Sequence, residues 1–223
     1  MMWSIRIRPT AAMEARRMFA RCFSTSRPVA KKLDLSGIYP PVTTPFNRDE
    51  SLAWDRLGEN IAKYDQVPLR GYLVQGSNGE YCYMSREERV EMVKRVRAFA
   101  SKDRLLLAGS GCESTAHTIE MTAAMADAGA DAAVVVTPCY FKGRMNAAAL
   151  TRHYEAVADA SPVPIVLYSV PANTGIDLPP EVAALLADHP NVIGIKDSGG
   201  DIAKIGMMSQ LTRGKDFQAN ETW

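Results

Sequence analysis

Short apolar runs alternate with longer amphipathic stretches along most of the chain, beginning near Leu35. The run Ala132–Val136 is apolar throughout, as is typical of a parallel strand covered on both faces. This alternation predicts an α/β fold in which right-handed crossovers join parallel strands. The predicted strands cover residues 37–43, 71–75, 104–108, 132–136, 164–168 and 191–196, and the predicted helices cover residues 52–65, 85–100, 114–128, 145–160, 179–188 and 201–211.

Polar residues follow nearly every predicted strand. Polar groups that converge at the C-terminal ends of many strands are the pattern of a (β/α)8 barrel active site. A doubly wound sheet would show the same alternation, but no G-x-G-x-x-G motif follows the first strand. The predicted fold class is therefore an α/β (β/α)8 TIM barrel. The polar groups in question are Thr43-Thr44, Gly76–Glu80, Ser110–Glu113, Thr137–Tyr140, Tyr168 and Lys196.

The number of βα units predicts that the barrel is incomplete. A whole barrel needs eight units and about 250 residues, whereas this pattern provides six. We therefore expect residues 33–223 to form a partial TIM-barrel domain that lacks the last strands of the barrel. The tail Asn220–Trp223 is not apolar enough for a buried seventh strand. Unpaired edges on the first and sixth strands would favour aggregation, so we expect low stability and little activity.

The first 32 residues differ from the rest in charge. They hold eight Lys or Arg and one acid, Glu14, with apolar and Ser/Thr residues in between. This composition predicts a disordered mitochondrial transit peptide at residues 1–32 and a location in the matrix, although a basic tail that targets nothing has the same composition. The remainder holds 18 basic and 24 acidic residues, a net charge of −6, which argues against a nucleic-acid partner. No apolar run approaches the length needed to cross a membrane.

The cysteines and histidines are scattered. The chain has no C-x-x-C pair among its four cysteines, Cys22, Cys82, Cys112 and Cys139. We therefore predict neither a zinc site nor a disulfide framework, and we expect the protein to lie in a reducing compartment. The three histidines His117, His153 and His189 lie far apart in the sequence and suggest no metal cluster. We expect His153 and His189 to lie on the surface of helices.

Lys196 stands directly after the apolar run Val192–Ile195 and before a glycine-rich turn. Lysine is almost never fully buried without a partner. One interpretation is that Lys196 marks the end of the strand, with its ammonium in water. The other is a Schiff-base lysine at the mouth of a parallel barrel. Neutral amine is the nucleophile in such chemistry, and apolar neighbours such as Ile195 and Leu167 would favour that form.

Four motifs, in order and each at a strand end, decide between these interpretations. With them the chain, from about Gly37 to about Asp216, resembles the dihydrodipicolinate synthase/N-acetylneuraminate lyase family of class I aldolases and lyases. The motifs are Gly76-Ser77-Asn78-Gly79-Glu80, Val136-Thr137-Pro138-Cys139-Tyr140, Tyr168-Ser169-Val170-Pro171-Ala172-Asn173-Thr174-Gly175 and Gly194-Ile195-Lys196-Asp197-Ser198.

The resemblance implies catalytic roles for Lys196, Tyr168, Tyr140 and Ser77. Lys196 would attack the C2 carbonyl of a small 2-oxo acid and form an iminium, which accepts electrons when a carbon–carbon bond breaks or forms. Tyr168 would shuttle protons, and Ser77 and Tyr140 would complete a hydroxyl relay with it. In the family the equivalent of Tyr140 is contributed across a tight dimer interface, which implies a homo-oligomer, a dimer of dimers.

The resemblance also implies substrate-binding roles. Ser77 and Asn78 would hold the substrate carboxylate in a backbone nest, although the same turn could be an ordinary βα loop. Ser198 would add a hydroxyl contact to the substrate or cap the next helix. The chemistry requires neither a metal nor an organic cofactor.

Two departures from the family pattern bear on the substrate. Bacterial dihydrodipicolinate synthases carry an arginine fork where this chain has Asn173, and a tyrosine where it has Cys139. These departures disfavour a role in lysine biosynthesis. The motifs, taken together with the predicted mitochondrial presequence, are similar to those of family members that cleave 4-hydroxy-2-oxoglutarate to pyruvate and glyoxylate. The alternatives are another lyase of the family, of the sialic acid lyase or dihydrodipicolinate synthase type, or an inactive subunit that only associates with a longer copy.

Overall fold

A computed structural model describes residues 33–221, so the transit peptide predicted at residues 1–32 lies outside the described residues. Strands and helices alternate along this part of the chain, as the pattern predicts. The strands are β1 (Gly71–Val74), β2 (Leu105–Gly109), β3 (Ala132–Val136), β4 (Ile165–Ser169), β5 (Val192–Asp197) and β6 (Gln218–Glu221). The helices are α1 (Trp54–Tyr64), α2 (Arg86–Phe99), α3 (Thr115–Asp127), α4 (Ala147–Ala160), α5 (Pro171–Thr174), α6 (Pro180–Leu186) and α7 (Ile202–Leu211).

The strands form one sheet in the order β1-β2-β3-β4-β5-β6, and every neighbouring pair is parallel. This order places each strand beside the next one in the sequence, with a helical connection between them, as in a barrel built from βα units. The predicted α/β barrel fold is confirmed, in the form of a partial barrel. No helix among residues 33–221 is long and apolar enough to span a membrane.

The strand predicted at residues 37–43 is only partly formed. The segment runs parallel to β1, and Val42 N donates to Leu73 O at 2.9 Å, but its pairing is a single bridge between Pro41 and Leu73. The reason is the pair Pro40-Pro41, since proline has no amide hydrogen to donate to a ladder. Leu73 N still donates to Pro40 O at 3.1 Å, so the segment stays at the edge of β1.

The expectation that no strand follows the sixth predicted one is wrong. Residues Gln218–Glu221 pair in parallel with β5, Gly194 opposite Gln218. Backbone hydrogen bonds along the edge of β5 require no apolar side chains, and the preceding Phe217 is buried in the core. The Gln218 side chain also donates to Leu33 O at 3.0 Å and accepts from Leu35 N at 2.9 Å.

Successive side chains on β1 to β4 alternate between an outer and an inner apolar layer. Those that point outward pack against the helices, as Val135 and Leu167 do in one layer with α4 and α6. Those that point inward, such as Leu107, Val134 and Val166, form a second cluster inside the partial barrel. A capping box begins α2, where Glu88 N donates to Ser85 Oγ at 3.2 Å and Ser85 N donates to Glu88 Oε2 at 2.8 Å.

Candidate active site

A β-bulge in β5 sets the direction of Lys196. Val192 and Ile195 belong to the outer layer, whereas Ile193 belongs to the inner cluster, and the pairing with β4 shifts by one residue at this point. Regular alternation from Val192 would turn Lys196 outward, because side chains repeat every two residues. The extra residue reverses the phase, as bulges next to active sites do, and Lys196 lines the inner cavity.

Lys196 lies next to Tyr168 on the neighbouring strand. The two residues are register partners, and Lys196 Nζ lies 4.2 Å from the centroid of the Tyr168 ring. Tyr168 Oη lies 3.4 Å from Ser77 Oγ, a contact at the long end of hydrogen bonding. The structure therefore brings three of the predicted catalytic residues together at the C-terminal ends of the strands.

These side chains line a cavity of about 190 Å³. Asn78 and Ser198, both predicted to bind substrate, also line it, as does Asn173. Lys196 is the only charged side chain among the lining residues within the described part of the chain. The cavity is lined by Tyr39, Pro41, Leu73, Ser77, Asn78, Tyr168, Val170, Asn173, Lys196 and Ser198.

Ser77 and Asn78 lie in a 3₁₀ turn, Ser77–Gly79, and the backbone that leads into this turn has an uncommon conformation. The preceding Gln75 is buried and has φ 63°, a left-handed conformation that is uncommon for a residue other than glycine. Gly109 on β2 permits this path, because a Cβ there would lie 2.0 Å from Gln75 O. Within the turn, Gly79 N donates to Gly76 O at 2.9 Å and Glu80 N donates to Ser77 O at 3.0 Å.

Thr44, one of the polar residues noted after the first predicted strand, supports this turn from behind. It is buried, and its Oγ1 donates to Gly79 O at 2.6 Å. Its hydroxyl therefore holds the backbone that presents Ser77 and Asn78, and Thr44 is not among the residues that line the cavity.

Tyr140 is not brought to the cavity within this chain. Its side chain is 76% exposed and packs edge-to-face on Phe141, with ring centroids 5.0 Å apart. Glu113 holds the loop, since its carboxylate accepts from Tyr140 N at 2.8 Å and from Cys139 N at 3.0 Å. Burial, together with Glu113, raises the pKa of the Cys139 thiol.

The prediction that His153 lies on the surface is wrong. It is 5% exposed, on the inner side of α4, and its Nδ1 lies 2.9 Å from Thr115 Oγ1. Burial lowers the pKa of His153 to about 4, so the imidazole is neutral at pH 7. His153 lies three positions after Leu150 and four before Val157, both buried, and this helical spacing is the signal that could have revealed its burial.

Three further residues matter that sequence reasoning did not single out. Tyr39 and Val170 line the cavity, and burial raises the pKa of the Tyr39 phenol. Lys204 on α7 is buried and lies behind β5, where it forms ion pairs with Asp197 and Asp177. Its partners lie 7 and 27 residues away along the chain, so no local sequence motif predicts these ion pairs.

No group of three or more His, Cys, Asp or Glu side chains that could hold a metal ion occurs within residues 33–221. Cys82, Cys112 and Cys139 are free thiols. The side chains that line the cavity offer the amine of Lys196, phenols, hydroxyl groups and amides.

The fold and the cavity define a class of protein: a parallel α/β barrel that presents a lysine beside a tyrosine at its C-terminal mouth. Residues 34–218 match the family model described as the dihydrodipicolinate synthetase family. The chain therefore belongs to this family, whose members are lyases and aldolases.

Curated relatives agree with this assignment. The chain is 38% identical over 181 residues to the 4-hydroxy-tetrahydrodipicolinate synthase of Methanothrix thermoacetophila, covering 81% of this chain and 60% of that protein. It is 35% identical over 182 residues to the enzyme of the same name from Pseudoalteromonas atlantica, covering 82% and 61%. The chain thus spans about 60% of the length of the curated relatives that it matches.

Solved structures agree on the fold. Dihydrodipicolinate synthase from Acinetobacter baumannii, in complex with pyruvate, superimposes with a TM-score of 0.80 at 32% identity, covering 84% of this chain and 64% of that one. YagE, a prophage protein of the family from E. coli K12, also in complex with pyruvate, gives a TM-score of 0.80 at 32% identity, covering 86% and 64%.

Proposed function

We propose that this chain carries the site of a class I aldolase in which Lys196 forms a Schiff base with a 2-oxo acid. The observation that carries the proposal is the position of Lys196 Nζ, 4.2 Å from the Tyr168 ring in a cavity of about 190 Å³. A lysine amine next to a phenol in a partly apolar pocket is an arrangement suited to carbonyl chemistry. Two relatives of known structure were solved with pyruvate, a 2-oxo acid, and this supports the substrate class.

The reaction begins when the neutral amine of Lys196 attacks C2 of the 2-oxo acid and water leaves, which gives an iminium. Tyr168 donates its phenol proton as that water leaves, and the resulting phenolate then takes the proton of the C4 hydroxyl of 4-hydroxy-2-oxoglutarate. The C3–C4 bond breaks, its electrons flow into the iminium, and glyoxylate departs. Protonation of the enamine at C3 and attack by water release pyruvate and restore Lys196.

The proton path would run through hydroxyl groups. Ser77 Oγ lies 3.4 Å from Tyr168 Oη, and such contacts often shorten only when substrate is bound. Tyr140 is exposed in the single chain, which fits a role in the cavity of a second copy. We therefore propose a homo-oligomer, a dimer of dimers, in which Tyr140 completes the relay across the interface.

The choice of substrate rests on two opposing observations. The curated relatives named above are 4-hydroxy-tetrahydrodipicolinate synthases, which favours condensation of pyruvate with a semialdehyde. Against this, Asn173 lines the cavity where bacterial synthases have an arginine, and an amide cannot supply a charged fork for a carboxylate. We propose cleavage of 4-hydroxy-2-oxoglutarate as the activity. The synthase reaction is the first alternative, and a sialic acid lyase reaction is the second.

The first test is borohydride trapping with pyruvate, followed by intact and peptide mass spectrometry. We expect a reduced pyruvate adduct on the peptide that contains Lys196 and none in the variant Lys196→Met. A Lys215→Met variant, which removes a partly exposed lysine paired with Asp188, is the matched control and should trap normally. An adduct on other lysines only, or none at all, would contradict the Schiff-base assignment.

The second test separates the candidate reactions. Pyruvate release from 4-hydroxy-2-oxoglutarate and from N-acetylneuraminate is measured beside condensation of pyruvate with aspartate semialdehyde, at matched concentrations. We expect the first reaction to have the highest kcat/KM. If the chain traps no pyruvate and instead copurifies with a longer copy of the family, the non-enzymatic alternative of an associating subunit is supported.

A further inference from the structure

A buried ionic cluster lies directly behind the two strands that carry Tyr168 and Lys196. Lys204 is its centre: its side chain is 6% exposed, and Nζ donates to Asp197 Oδ2 at 2.6 Å and to Asp177 Oδ1. The Asp197 side chain is 2% exposed, whereas that of Asp177 is 54% exposed. One ammonium thus joins two carboxylates that belong to different segments of the chain.

The cluster includes a side chain from the end of each of the two strands. Ser169, the residue after Tyr168, donates from Oγ to Asp177 Oδ1 at 3.0 Å and accepts from Leu178 N at 3.2 Å. Asp197, the residue after Lys196, accepts from Gly199 N at 2.8 Å through its other oxygen. Lys204 therefore links the residue that follows Tyr168 to the residue that follows Lys196.

At the ends of β4 and β5, one side chain of each strand points into the cavity and the next points away from it. Ser169 and Asp197 are register partners, as Tyr168 and Lys196 are, and side chains alternate across a sheet. Tyr168 and Lys196 point into the cavity, while Ser169 and Asp197 point outward to α7 and the segment before α6. The relative position of the two inward side chains is thus fixed from behind by the outward pair.

We propose that Lys204 is a positioning residue for the Schiff-base lysine, acting through Asp197 and Asp177 on the ends of β4 and β5. The inference rests on the proposed function of Lys196. Productive attack requires the reacting atoms to be aligned, and a displacement of about 1 Å can reduce a rate about 100-fold. Lys204 lies outside the cavity, so its effect is on geometry and not on substrate contact.

Stability alone gives little reason for an ion pair at this place. A buried ion pair usually contributes no more than a well-packed apolar pair would, because desolvation of the charges offsets their attraction. A support for a functional site, in contrast, needs directional bonds that lock the residues presenting it. The cluster supplies such bonds to both strand ends at the position where chemistry is proposed.

The test measures the rate of borohydride-trapped adduct formation at Lys196 as a function of pyruvate concentration. Four variants are compared with the wild type: Lys204→Met, Lys204→Arg, Asp177→Asn and, as the matched control, Lys215→Met, whose lysine pairs with Asp188 away from the cavity. Circular dichroism and thermal unfolding establish which variants are folded.

We expect Lys204→Met to lower the maximal trapping rate about 10- to 100-fold, with the pyruvate concentration at half-maximal rate unchanged. Lys204→Arg should restore most of the rate, because a guanidinium can also bridge two carboxylates. Asp177→Asn should lower the rate less, and Lys215→Met should leave it unchanged. Since the Asp177 side chain is half-exposed, Asp177→Asn decides the matter if Lys204→Met does not fold.

The outcomes separate the two proposals. If the wild type forms no adduct on Lys196, the proposed function fails and the positioning role fails with it. If the wild type traps pyruvate and the folded Lys204 and Asp177 variants trap it at the same maximal rate, only the positioning role is wrong. A rise in the half-maximal pyruvate concentration with no loss of maximal rate would also overturn it, since that pattern indicates a binding role.

Discussion

Lowering the pH from 7 to 5 should destabilise the folded chain through the buried imidazole of His153. The ring is 5% exposed, its Nδ1 is held by Thr115 Oγ1 at 2.9 Å, and its Nε2 has no partner among residues 33–221. Burial of the ring lowers the pKa of His153 to about 4. Protonation would place a charge in a site that offers the second nitrogen no acceptor, so the folded state resists it.

The sign follows from the two protonation equilibria. In the unfolded chain the imidazole has an ordinary pKa of about 6.5, so between pH 6.5 and 4 the unfolded state binds the proton and the folded state does not. The free energy of unfolding is therefore highest above pH 6.5 and falls as the pH drops, because the unfolded state gains the proton first. The loss from pH 7 to 5 is about 2 kcal/mol, and it levels off near 3 kcal/mol below pH 4.

The assay is urea denaturation followed by circular dichroism at a series of pH values between 7 and 5. His153→Gln should lose about 2 kcal/mol of the pH dependence, because glutamine does not titrate in this range. His189→Gln is the matched control, since His189 is a second helix-associated histidine, paired with Asp159 near the surface. If His153→Gln keeps the pH dependence of the wild type, the reasoning from burial is refuted.

Three further predictions concern the site and the first residues. Tyr168→Phe should lower kcat for aldol cleavage about 10²- to 10⁴-fold, measured by release of pyruvate, because the proton shuttle is lost. Tyr83→Phe, at a tyrosine that is 79% exposed, should have no effect, and equal rates in both variants would show that the Tyr168 phenol has no role in the reaction. Asn173→Arg should raise kcat/KM for condensation with aspartate semialdehyde relative to cleavage about 10- to 100-fold, because a charge-assisted hydrogen bond contributes about 1.5–3 kcal/mol; an unchanged ratio would show that this position does not select the substrate. Residues 1–32 fused to a fluorescent protein should direct it to mitochondria, whereas replacing the six arginines of this segment with glutamine should abolish import; a cytosolic signal from the unaltered fusion would contradict the targeting role.

The sequence pattern predicted most elements of the fold to within two residues, because each of them has strong local signals. The strand predicted at residues 132–136 is observed as Ala132–Val136, and the helix predicted at residues 85–100 is observed as Arg86–Phe99. The two strands that were predicted wrongly lie at the edges of the sheet. There, two prolines reduce one strand to a single bridge, and backbone pairing alone makes another without an apolar run.

The sequence predicted which residues form the candidate site better than it predicted their geometry. Motifs at strand ends indicated Lys196, Tyr168, Ser77, Asn78 and Ser198, and all five line one cavity. Tyr140 is at the surface of the single chain, and its role in a second copy stays a prediction. The burial of His153 follows from its helical spacing to Leu150 and Val157, but its contact with Thr115 on α3 joins residues 38 positions apart and has no local signal.

The direction of Lys196 shows why a pattern of residue types does not fix a site. Counted by alternation from Val192, the lysine would point outward to the helices and Asp197 would point into the cavity. The bulge at Ile193 exchanges the two, so that the ammonium faces Tyr168 and the carboxylate faces Lys204. Lys196-Asp197 thus resembles an exposed charge pair in the sequence but forms two separate electrostatic sites, one on each side of the sheet. One extra residue in a strand therefore decides whether this chain has a lysine available for chemistry.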